Sequence, residues 1–70
     1  MDYMIKSFNN RINCTSPDEV IDTLASQFRG QHVTVIKTLC SGIRQAHFVT
    51  VLSSGVLLDS YKLTPFEIEG

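Results

Sequence analysis

Apolar residues recur at helical spacing in one stretch of this chain, and β-rich runs broken by glycine fill most of the remainder. From Ser16 to Gly30 the apolar positions are Val20, Ile21, Leu24, Ala25 and Phe28, with Asp22, Thr23, Ser26 and Gln27 between them. That spacing predicts an amphipathic α-helix whose buried stripe runs through Val20, Leu24 and Phe28. Both ends are marked. Ser16 and Glu19 stand at capping-box spacing, Pro17 falls at the first helical position, and Gly30 is placed to end the helix in a left-handed conformation. Asp18, Glu19 and Asp22 near the start and Arg29 near the end complement the helix dipole.

After Gly30 the pattern changes. Residues 32–40, 43–52 and 56–63 are rich in Val, Ile, Leu, Thr and aromatics, and Ser41-Gly42 and Ser53-Ser54-Gly55 separate them. Short glycine-containing breaks between such runs predict a three-stranded antiparallel meander. Two-residue loops at Ser41-Gly42 and Ser54-Gly55 put Val33, Val35, Leu39, Ala46, Phe48, Leu52, Leu57, Tyr61 and Leu63 on one face, interrupted by Lys37, Arg44, Thr50 and Asp59. This face is the expected seat for the helix. The second face then carries Ile36, His47, Val49, Val51 and Leu58 within a polar frame. A one-residue slip in either turn exchanges the faces of a strand.

Upstream of the helix, residues 3–14 alternate well enough for a strand. Asn9-Asn10 suits a tight turn, which gives a short hairpin returning through Ile12 to Cys14; one longer, bent strand is the alternative. The tail turns at Pro65, and residues 64–70 are a candidate short edge strand. The expected fold is α+β, a single small domain over residues 1–70 of order β(β)-α-β-β-β, with the helix on an antiparallel sheet. The half-apolar second face calls for a cover: the N-terminal strand curling into a barrel, a second copy, or a partner.

The region from Gly30 to Glu67 also resembles SH3-like barrels. It has a Val-rich strand after a glycine, two hairpins, and Tyr61-Lys62-Leu63-Thr64-Pro65-Phe66 before a last short segment. The resemblance covers about half the chain and includes no diagnostic residue. It implies an SH3-like small β-barrel with an inserted helix as the alternative fold, and a binding module as its use.

Seventy residues with six Lys and Arg against seven Asp and Glu give a net charge of −1. A single core of this size supplies only about 3–5 kcal/mol, so a partner or a second copy would matter. The overall charge implies no strong grip on nucleic acid or on a membrane. The first residues contain no apolar run of signal-peptide length, and nothing approaches the length of a membrane span. Two cysteines, Cys14 and Cys40, in such a chain read as free, buried thiols of a reducing, cytoplasmic compartment.

Cys14, His32, Cys40 and His47 are zinc-ligand types, but they lack the C-x-x-C or H-x-x-x-H spacing that offers two ligands from one turn. A Cys40–His47 nucleophile pair falls about 13 Å apart in the expected register, beyond hydrogen-bond reach. Glycine-rich phosphate loops and paired carboxylates are absent from the pattern. No metal, cofactor or catalytic role is expected. The expected function is a small non-catalytic intracellular protein-binding module of the accessory or inhibitory kind, some of which phages and other mobile elements encode. It would act through Ile36, His47, Val49, Val51 and Leu58 or as a homodimer. The alternative is single-stranded nucleic-acid binding through Lys37, Arg44, Phe48 and Tyr61, two cations and two aromatics on the other face.

Overall fold

A computed structural model describes residues 2–68. Its elements are β1 (Asp2–Lys6), β2 (Arg11–Cys14), α1 (Pro17–Gln27), β3 (His32–Thr38), β4 (Arg44–Val51) and β5 (Leu57–Asp59). The strands form one antiparallel sheet in the order β2-β1-β3-β4-β5. One helix packed on an antiparallel sheet is the expected α+β architecture, and the predicted N-terminal hairpin is present as β1 and β2. The sheet stays open, which corrects the barrel alternative. β1 does not curl over the second face; it slots into the sheet between β2 and β3. No helix among the described residues is long and apolar enough to cross a membrane.

The helix forms as its local signals require. Ser16 is extended, and its hydroxyl accepts from the Glu19 amide at 3.2 Å. The Glu19 carboxylate reaches back to the Thr15 amide at 2.8 Å, one residue earlier than the usual capping box. Phe28 is the C-cap, and Gly30 follows at φ 76, the left-handed conformation that glycine adopts without steric cost. Arg29 lies beyond the last turn, yet its Nε donates to the Ala25 carbonyl at 2.7 Å and so satisfies one of the open carbonyls of the helix end. Val20, Leu24 and Phe28 are buried and meet Tyr3, Ile5, Cys14, Val33, Val35, Val49, Val51 and Phe66 in one core.

The register of the meander differs from expectation by one residue at each turn. Both loops contain three residues. The Leu39 and Ile43 backbones pair around Cys40-Ser41-Gly42, and the Leu52 and Val56 backbones pair around Ser53-Ser54-Gly55. Gly42 and Gly55 take φ 89 and 92 at the third loop position, the left-handed residue of a type I turn with a bulge. A two-residue Ser-Gly loop would instead force Ser41 or Ser54 to positive φ, or put glycine in the wrong place for a type II′ turn. The consequence falls on β4. Val33 pairs with Val49, Val35 with His47 and Thr34 with Phe48, so Val49 and Val51 face the helix while Ala46 and Phe48 face away. The second slip returns Leu57 to the helix side, opposite Val51.

β5 ends at Asp59, short of the expected Leu63. The Asp59 carboxylate accepts from the Tyr61 and Lys62 amides at 3.0 and 2.8 Å, and the Leu63 amide donates to the Asp59 carbonyl at 2.8 Å. These bonds turn the chain where a strand would have continued. It closes through Leu63 at φ 57, an uncommon conformation for a bulky residue. The returning segment makes one bridge, Leu58 to Pro65, and delivers Phe66 into the core; Glu69 and Gly70 of the expected edge strand lie outside the described residues.

Candidate functional site

Because α1 covers only one side, strand register decides what the other side displays. Asp2, Met4 and Lys6 of β1, Arg11 and Asn13 of β2, Thr34, Ile36 and Thr38 of β3, and Arg44, Ala46 and Phe48 of β4 alternate with the buried positions and form the open face. Thr50 and Leu58 extend it to β5. Met4, Ile36 and Leu58 are half-buried by their neighbours, whereas Phe48 is 44% and Tyr61 79% exposed.

The pairings define transverse rows. Arg11 opposes Lys6, Lys6 opposes Thr34, and Thr34 opposes Phe48. Adjacent strands lie about 4.8 Å apart, so about 14 Å separates the backbone of Arg11 from that of Phe48, with Lys6 and Thr34 between. Asn13, Met4, Ile36 and Ala46 form the next row, and Asp2, Thr38 and Arg44 the last. Hollows open on this face among the described residues. One of about 500 Å³ is lined by Lys6, Arg11, Arg44, Met4 and Ile36 among others. The second, about 280 Å³, is lined by His32, Thr34, Phe48, Ser60 and Tyr61.

The Phe48 and Tyr61 rings meet edge to face, with centroids 5.4 Å apart and planes at 90°. Beside them runs a polar chain: His32 Nδ1 lies 2.9 Å from Thr50 Oγ1, which lies 2.9 Å from Ser60 Oγ. Phe8 stands fully exposed in the four-residue loop that the Lys6–Arg11 pair closes. Charge is divided between the two sides. Asp18, Glu19 and Asp22 lie on the helix, and Asp59 is paired with the buried Val49. Among the described residues, Asp2 is the carboxylate that strand register places on the open face, against Lys6, Arg11 and Arg44.

The candidate residues scatter in this geometry. Of the five expected to bind protein, Ile36 and Leu58 are on the open face. Val49 and Val51 are 0% and 1% exposed beneath the helix and belong to the core. His47 also points to the helix side, with its ring 6.0 Å from that of Phe66. The nucleic-acid set fares differently. Arg44, Phe48 and Tyr61 share the open face, whereas Lys37 pairs with Tyr3 and Gln45 on the helix side. Lys6 and Arg11 were not among the candidates. The alternation Asp2-Tyr3-Met4-Ile5-Lys6 already put Lys6 opposite to Tyr3 and Ile5, but only pairing to β3 brings it into the row of Phe48.

The thiol and imidazole groups stay apart. His47 pairs with Val35, five residues and about 16 Å of strand from Cys40. Cys14 is buried, and its burial together with the nearby Glu19 carboxylate pushes the thiol above its ordinary value, away from reactive thiolate. Among the described residues no three His, Cys, Asp or Glu side chains are grouped to hold a metal ion. No family model, no curated protein and no solved structure matches this chain.

Proposed function

We propose that this protein is a non-catalytic binding module and that it works through the open face of its sheet rather than through its helix. The observation that carries this reading is the uncovered patch of half-buried and exposed side chains Met4, Ile36, Ala46 and Phe48, which spans two neighbouring rows and is extended by Tyr61. An apolar patch framed by charge on a small domain marks a contact surface. The helix, by contrast, spends its apolar stripe on the core and offers solvent the polar side chains Asp18, Asp22, Ser26 and Gln27. The unpaired and exposed Cys40 fits a reducing, cytoplasmic setting. An accessory role suits so small a module.

Amide-resolved NMR tests the assignment of the working face. Labelled protein is titrated with its own unlabelled copy, with single-stranded oligonucleotides and with an acidic peptide. Shift changes centred on Ile36, Ala46, Phe48 and Leu58 support the reading. Changes confined to residues 17–27, or none with any probe, would remove it.

A further inference from the structure

We infer that the open face takes a single-stranded nucleic acid, with phosphates held by Lys6, Arg11 and Arg44 and bases laid against Phe48 and Tyr61. This rests on the open face being the working surface, and it names the occupant. Three features select that occupant over a second protein. The first is charge: among the described residues, register gathers three cations and one carboxylate on this side of a chain whose net charge is −1. Phosphodiesters match such a patch, and counter-ion release makes each contact favourable at low salt.

The second feature is the exposed aromatic pair. Phe48 and Tyr61 stand edge to face, Tyr61 largely and Phe48 partly open to solvent, so ring surface is available to a base. Stacking on such rings is tolerant of sequence because every base has a π-face. The third is spacing. Lys6 lies about 10 Å from Phe48 across two strand intervals, with the small hydroxyl residue Thr34 between them. A backbone crossing at Lys6 and Arg11 therefore leaves room for a sugar over Thr34 and a base at the hollow beside Phe48. His32 and Ser60, joined through Thr50, line that hollow and supply polar groups for base or sugar edges. RNA and DNA share this chemistry.

Fluorescence anisotropy with labelled oligouridine and oligothymidine of about 12 nucleotides tests the inference, a length within the range that small single-strand binders cover. Three phosphate contacts predict a slope of log affinity against log salt of about −2. Removing Lys6 and Arg11 together as alanine flattens that slope by about 0.7 for each cation lost. Tyr61→Ala or Phe48→Ala weakens binding about fivefold or more with the salt slope unchanged. Circular dichroism melts verify that each variant is folded, and Tyr61→Ala serves where Phe48→Ala is not. Preference between the two oligonucleotides distinguishes RNA from DNA. Absence of binding to both at low salt overturns the inference, as does binding that these variants leave unchanged. Self-association with dilution shifts at Ile36, Ala46 and Phe48 also overturns this occupant, while the open face stands as the binding surface.

Discussion

Adjacent residues Phe48 and Val49 provide the sharpest test of the fold, because the one-residue register difference exchanges their places. With two-residue turns Phe48 is core and Val49 is peripheral; with the observed three-residue turns Val49 is fully buried and Phe48 is 44% exposed. Val49→Ala removes two buried methyl groups, worth about 1.6 kcal/mol of transfer free energy. The cavity left between α1 and the centre of the sheet raises the cost to about 2–3 kcal/mol. That is about half or more of the roughly 3–5 kcal/mol expected of a core this small. For a domain of this length it lowers Tm by about 10–20 °C. Phe48→Ala removes more atoms, but from a side chain already 44% open to solvent and with no enclosed cavity left behind, so the expected loss, partial burial and ring contact together, is about 1–2 kcal/mol. Urea titrations of both variants followed by circular dichroism give the two values. A larger loss for Phe48→Ala than for Val49→Ala would refute the register and, with it, the composition of the open face.

Two further expectations follow from the turns. Gly42→Ala meets no atom within 4 Å of the added Cβ, so its expected cost of about 1–2 kcal/mol is purely that of an L-residue at φ 89; a neutral change in the denaturation midpoint would argue against the three-residue loop. The backbone amides of Lys62 and Tyr61 hold the Asp59 carboxyl below its ordinary value. A carboxylate with a lower pKa in the folded state contributes stability that is present above about pH 4 and fades as pH falls through its folded value. Asp59→Ala should therefore be less stable than the parent at pH 7, with a smaller difference at pH 3. An equal difference at both pH values, measured by urea unfolding, would contradict the role given to that turn.

The helix was legible in the sequence because everything that specifies it is local. Ser16, Pro17, Glu19 and Gly30 mark its ends within one or two turns, and the Val20-Leu24-Phe28 stripe repeats at the helical period. The existence of the meander was equally readable from β-rich runs and their glycine breaks. What the loops did to register was less so, although a signal was present: in Cys40-Ser41-Gly42 and Ser53-Ser54-Gly55 glycine occupies the third position, which suits a three-residue loop better than a two-residue one.

Determined by the sequence alone, then, are a capped helix with one apolar stripe, strand structure before it and three further β-rich segments. The tertiary structure decided which face each strand presents and which strands are neighbours. Side chains alternate with a period of two, so one added loop residue sends Val49 and Val51 to the core and Phe48 to solvent. The place of β1 between β2 and β3 is a pairing between distant parts of the chain, and no local propensity encodes it. That pairing brings Lys6 and Arg11 into line with Phe48. A chain with almost no net charge thereby acquires a basic, aromatic face on one side and an acidic helix on the other.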